Sequence, residues 1–232
     1  MAHAPFRGQT IRLTSKADGF AFDAYHVRTE DARRGGLVIL HAIWGVTPHL
    51  RELADGFAED GYETIVPSLF DRHTRGFPDL NIDEAVRERQ VGYMRATDWT
   101  TTCADIQAAI EALTGPVFAM GFCYGGTAAW MAASRCEGLA AVSSFYGGGI
   151  ADNREEQLRC PVILHFGKQD ELIPLADVEA IKARHMEIPV FLYEAGHAFM
   201  APSDYDGDSA RLARLRTLQL FHRSAGKAEM GG

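Results

Sequence analysis

From residue 36 onward the chain alternates short, unbroken apolar runs with longer segments of helical spacing. The runs are residues 35–45 (GGLVILHAIWG), 62–70 (YETIVPSLF), 116–122 (PVFAMGF), 139–149 (LAAVSSFYGGG), 160–170 (CPVILHFGKQD) and 188–196 (IPVFLYEAG). Continuous runs of this length fit strands covered on both faces. Between the first two, Leu50, Leu53, Ala54, Phe57 and Ala58 share one face of a helix that Pro48 can open and Gly61 can close in a left-handed turn. Helical pattern also fills residues 82–113, with a break expected near Thr97–Asp98, and residues 127–135, 175–185 and 209–223. Ahead of this alternation, residues 9–15 and 20–28 read as a hairpin of short alternating strands, and residues 71–81 as a loop. The pattern predicts one α/β domain over residues 1–232, with a mostly parallel sheet, helices on both faces and a frayed tail over residues 226–232.

Composition narrows the function classes. The chain has 232 residues, 47% of them hydrophobic, which suffices for a substantial core. Its net charge of −8 gives nucleic-acid binding no support, because an acidic surface repels phosphates. No stretch approaches the roughly 18 apolar residues of a membrane span, and the start lacks signal-peptide character. A cytoplasmic location with no membrane partner is therefore expected. None of Cys103, Cys123, Cys136 and Cys160 stands in a CxxC pair, so neither a disulfide framework nor a zinc knuckle is expected. Three of the four read as packed thiols.

Cys123 is the exception. In an open parallel sheet ligands gather at the carboxyl ends of the strands, and there Gly121-Phe122-Cys123-Tyr124-Gly125 has the form of a G-x-nucleophile-x-G elbow with Cys in place of Ser. A strained turn between strand and helix leaves room only for small flanking residues. The helix that follows aims its free N–H groups at the thiol. Alone, the pentapeptide is equally compatible with a glycine-rich turn around a packed cysteine. Two later strand ends shift that balance. Asp170 follows one apolar run and His197 another, and the order Cys, Asp, His is that of nucleophile, acid and base in α/β-hydrolases. His197 would take the thiol proton, and Asp170 would fix its tautomer and stabilise its charge. The end of the first run, His41-Ala42-Ile43-Trp44-Gly45, should lie beside the elbow. The N–H groups of Ile43 and Tyr124 then become oxyanion donors and Trp44 a pocket wall, while His41 reads as a strand residue whose side chain is satisfied locally.

These segments, together with VPSLFDR, SFYG, GKQDELIP and YEAGHAF, give a chain that resembles the dienelactone hydrolase family from about residue 10 to 225. The resemblance implies an eight-stranded α/β-hydrolase fold, no cofactor, a monomer, and hydrolysis of a small-molecule lactone or ester through an acyl-cysteine. Cys123, Asp170 and His197 match the family triad, Ile43 and Tyr124 its oxyanion positions, and Tyr146 an active-site tyrosine. Phe199, in the AGHAF segment, is expected beside the substrate. Two departures bear on the substrate. Ala42 stands where the best-known bacterial members carry a glutamate that holds the resting thiol. Ala201 stands where they carry the second of two arginines that grip a substrate carboxylate. Arg87 falls at the first arginine position, although a solvated charge within VRER accounts for it equally well. A charge-assisted contact contributes roughly 1.5–3 kcal/mol, so half a clamp favours neutral esters. Thioesters or activated phosphotriesters are alternative substrates for the same triad, and a non-catalytic binding or redox-sensing module is the alternative from another class.

Overall fold

The computed structural model describes residues 6–29, 34–77 and 83–228. The predicted hairpin is present as β1 (Gln9–Thr14) and β2 (Ala21–Val27), paired antiparallel. The apolar runs become β3 (Gly35–Leu40), β4 (Tyr62–Pro67), β5 (Val117–Phe122), β6 (Leu139–Phe145), β7 (Val162–Gly167) and β8 (Val190–Tyr193). They form one eight-stranded sheet in the order β1-β2-β4-β3-β5-β6-β7-β8, parallel from β4 through β8. Every residue of β3, β5 and β7 is buried, so both faces of the sheet centre are covered, as unbroken apolar runs require.

The described residues form six α-helices: α1 (Pro48–Glu59), α2 (Glu84–Arg95), α3 (Trp99–Glu111), α4 (Tyr124–Arg135), α5 (Leu175–Arg184) and α6 (Gly207–Ala228). Their ends follow local chemistry. Thr47 caps α1 through Leu50 N, with Pro48 in the first turn, and Gly61 beyond its end takes φ 90°. The break expected near Thr97–Asp98 is real: Asp98 accepts from Thr100 N and Thr101 N and starts α3 afresh. The tail differs from expectation. Helix α6 continues through Ala228, three residues into the segment expected to fray, while residues 229–232 lie outside those described.

A buried polar chain fastens α6 to the sheet. The Arg216 guanidinium donates to the Tyr193 hydroxyl (3.0 Å), which bonds His165 Nδ1 (2.8 Å). His165 Nε2 reaches Ser143 Oγ (3.1 Å), Ser143 bonds Thr217 Oγ1 (2.8 Å), and Thr217 donates to the Ala213 carbonyl. Among the described residues no side-chain polar atom of this network is buried without a partner, so burial carries no orphan penalty. Burial, helped by the nearby Arg216 charge, pushes His165 down to about 3. Cys103 and Cys136 are buried, and the Cys136 thiol donates to the Cys103 carbonyl (3.4 Å), in keeping with packed cysteines.

Candidate active site

Five neighbouring strands end at one edge of the sheet, and the candidate residues follow them closely. Cys123 comes directly after β5 and Tyr146 directly after β6. Ile43 lies three residues past β3, Asp170 three past β7, and His197 four past β8. Ile43, Trp44, Arg87, Cys123, Tyr146 and His197 all line one cavity of about 570 Å³.

The elbow is built by backbone contact. Cys123 sits at φ 54°, ψ −113°, a conformation that costs a non-glycine residue about 1–3 kcal/mol. A Cβ on Gly121 would lie 1.9 Å from the Gly125 carbonyl oxygen, and one on Gly125 would lie 2.2 Å from the Leu40 carbonyl oxygen. Both positions therefore exclude any side chain, and the second presses the start of α4 onto the end of β3. Helix α4 begins at Tyr124, so the N–H of Tyr124 has no intrahelical partner. Among the described residues the Ile43 N–H likewise donates to no protein acceptor. Two donors without protein acceptors thus stand at the ends of neighbouring strands, one of them on the residue next to Cys123. Tyr146, at φ 39°, is the only non-glycine residue besides Cys123 with positive φ among those described. Both line the same cavity, which is where strain of this kind concentrates.

Asp170 is fully buried at its side chain and fixed at both oxygens. Oδ1 accepts from Leu172 N (2.8 Å) and Ile173 N (3.1 Å), and Oδ2 bonds His197 Nδ1 (2.7 Å). His197 therefore presents Nε2 to the cavity side. That atom is buried and lacks a conventional hydrogen-bond partner among the described residues. Burial opposes charge on the ring, but the Asp170 carboxylate and the Cys123 sulfur outweigh it and raise His197 to about 9. An imidazolium is thus the favoured form at neutral pH. The Tyr146 ring lies 5.0 Å from the His197 ring, and burial together with the Cys123 sulfur raises its phenol well above the ordinary value, so it stays protonated.

Phe199 is placed differently from expectation. It is fully buried beneath the cavity and packs against Tyr146 (5.3 Å) and Tyr193 (5.1 Å), so it supports the wall without forming it. His41 is a satisfied residue: Nδ1 bonds the Ala42 carbonyl (2.6 Å), Nε2 accepts from Leu69 N (3.0 Å), and burial pushes the ring down to about 4. Ala42 and Ala201 both line the cavity, as do Leu172, Met200, Pro202, Ser203 and Asp204, which the sequence reading did not single out. Leu172 is 70% exposed at the rim, two residues after Asp170. A large apolar side chain beside a strand-end carboxylate was the available signal for it. Segment 200–204 carries no periodic pattern that would mark it. His49, at the start of α1, is a further lining residue that burial pushes towards its neutral form. Among the described residues no group of three or more His, Cys, Asp or Glu is arranged to hold a metal ion, and no helix is long and apolar enough to cross a membrane.

A mostly parallel eight-stranded sheet with a strained strand-to-helix turn at its carboxyl edge defines an α/β hydrolase. Residues 22–225 match the Dienelactone hydrolase family, and the chain belongs to that family. It is accordingly a hydrolase of lactones or esters. It is 28% identical over 218 residues to carboxymethylenebutenolidase of Pseudomonas putida, covering 88% of this chain and 92% of the relative. It is 26% identical over 227 residues to carboxymethylenebutenolidase 1 of Cupriavidus pinatubonensis, covering 91% and 95%. Among solved structures, a dienelactone hydrolase-like promiscuous phosphotriesterase from metagenomic libraries superposes with TM-score 0.73 at 21% identity, over 94% of this chain and 98% of the other. A Pyrococcus furiosus esterase superposes with TM-score 0.70 at 10% identity, over 94% and 91%. At these identities the superpositions speak for the fold alone.

Proposed function

We propose that the enzyme cleaves neutral carboxylic esters or lactones through an acyl-cysteine on Cys123, with His197 as proton carrier and Asp170 as its orienting carboxylate. The observation that carries this reading is the Asp170–His197 bond of 2.7 Å in the wall of the cavity that also holds the strained Cys123. The thiolate attacks the carbonyl carbon, and the new oxyanion accepts from the N–H groups of Ile43 and Tyr124. The intermediate collapses, breaking the bond to the leaving oxygen, which takes the proton from His197 Nε2. The ring, now neutral, removes a proton from water as that water attacks the thioester. Collapse of the second intermediate releases the acid and restores the thiolate.

The preference for neutral substrates rests on the cavity's charges. Arg87 is the cationic side chain of its lining, besides His197, and it already pairs with Glu84 (3.3 Å) one helical turn away. Asp204 adds a carboxylate to the same wall, and Ala201 supplies no second guanidinium. The expected result is a kcat/KM for neutral aryl esters at least tenfold above that for matched esters bearing a carboxylate. Ala201→Arg should narrow that gap, chiefly through KM for the anionic ester. An anionic ester or lactone turned over faster than its neutral match would refute this preference. The same panel, extended to thioesters and activated phosphotriesters, ranks those electrophiles against carboxylic esters.

A further inference from the structure

The oxyanion donor on the β3 side depends on a peptide plane that nothing in α4 can hold. Ile43 N belongs to the Ala42–Ile43 peptide, three residues beyond the last bonded residue of the sheet, in a turn with no helix of its own. In a trans peptide the C=O and N–H point in opposite directions, so whatever grips the Ala42 oxygen also aims the Ile43 N–H. Two groups grip it: Gly45 N at 3.1 Å and His41 Nδ1 at 2.6 Å.

We infer that His41 is a positioning residue that aims the Ile43 N–H at the reacting carbonyl oxygen by holding the Ala42 carbonyl from behind. Both ring nitrogens take part. Leu69 N–H, just past β4, donates to Nε2 at 3.0 Å, so Nε2 must be the acceptor and Nδ1 must carry the hydrogen. The backbone beyond β4 thus selects the one tautomer able to donate to Ala42. The ring is also locked sideways. It is fully buried, 5.0 Å edge-on from Phe70 and 6.2 Å from the ring of Tyr124, the residue whose backbone N–H is the other donor. His41 touches neither the cavity nor the nucleophile, and acts only through the peptide it holds.

This role rests on the proposed acyl-cysteine mechanism, and two substitutions separate it from mere packing. The amide nitrogen of His41→Asn can stand where Nδ1 stands and keep the bond to Ala42. The amide oxygen of His41→Gln can stand where Nε2 stands and keep the bond from Leu69 while the Ala42 oxygen loses its donor. Both should lower the melting temperature. The readout is the acylation rate constant per titrated site with a p-nitrophenyl ester under pre-steady-state conditions. Removing an oxyanion donor outright slows such reactions about 10²–10³-fold, so His41→Gln, which only misaims one, should fall at least about tenfold with KM within about twofold. His41→Asn should recover most of that rate. A His41→Gln enzyme that acylates like wild type, or equal losses in both variants, would overturn the role. Should either variant fail to fold, ¹⁵N chemical shifts of the wild-type His41 ring decide: hydrogen on Nδ1 supports the role and hydrogen on Nε2 refutes it. Full ester turnover by Cys123→Ala would instead refute the acyl-cysteine mechanism itself, and this role with it.

Discussion

At the scale of single residues, the site works by opposing burial with paired charge. His197 is a half-buried imidazole that burial alone would push towards its neutral form, yet Asp170 and Cys123 raise it to about 9. Two consequences follow with defined signs. Its folded-state value lies above the ordinary 6.5, so the stabilisation it gives is fully present below about pH 6.5 and is lost as pH rises through about 9. The alkaline limb of kcat/KM should sit near the same value, because the neutral ring no longer pairs with the thiolate or protonates the leaving group. In Asp170→Asn that limb should move down by more than one pH unit and kcat should fall at least a hundredfold, read from a pH–rate profile of an aryl ester. An unchanged limb would mean that Asp170 does not set the ring's charge. Ala42 sharpens the same point. With no carboxylate beside the thiol at that position, nothing at Ala42 competes with His197 for it. What was legible here was the order of Cys123, Asp170 and His197, because Cys123 and His197 directly follow apolar runs and Asp170 closes another. The direction of Phe199 was not, because burial of a loop residue depends on which way the loop folds back, and no periodicity records that.

At the scale of elements, positions were readable wherever a local rule sets them. Thr47-Pro48, Asp98 and Gly61 mark helix ends by capping chemistry and positive φ, and Gly121 and Gly125 mark the elbow because backbone fills the space a Cβ would need. The union of elements was less readable. His165 looks in sequence like one more residue of an apolar run, yet it is the hub that binds β6, β7 and the strand-end Tyr193 to α6. Because its folded-state value is about 3, the unfolded chain takes up a proton below about pH 6.5 that the folded chain refuses. Stability should therefore fall as pH drops from about 6.5 towards 4, by about 1.4 kcal/mol per pH unit for this ring and by a similar amount for His41 down to about pH 4. Urea unfolding of His165→Gln across that range should show a slope shallower by about 1 kcal/mol per pH unit, whatever the variant's absolute stability. An unaltered slope would place the acid sensitivity elsewhere.

At the scale of the molecule, a chain of net charge −8 carries a mainly apolar cavity at the carboxyl edge of its sheet. The surface field does nothing to gather anionic substrates, and the cavity offers them one arginine already engaged with Glu84. Family membership fixes the reaction class, and these charges bear on which substrates within it the cavity would favour. All of this depends on Cys123 being the atom that is acylated. The most direct measurement is rapid mixing with p-nitrophenyl acetate, followed by acid quench and peptide mass spectrometry. The account predicts a burst of one equivalent of nitrophenol, an acetyl group on the peptide containing Cys123, and neither in Cys123→Ala. Full turnover by Cys123→Ala, or an acetyl group found on another residue in kinetically competent amount, would contradict it.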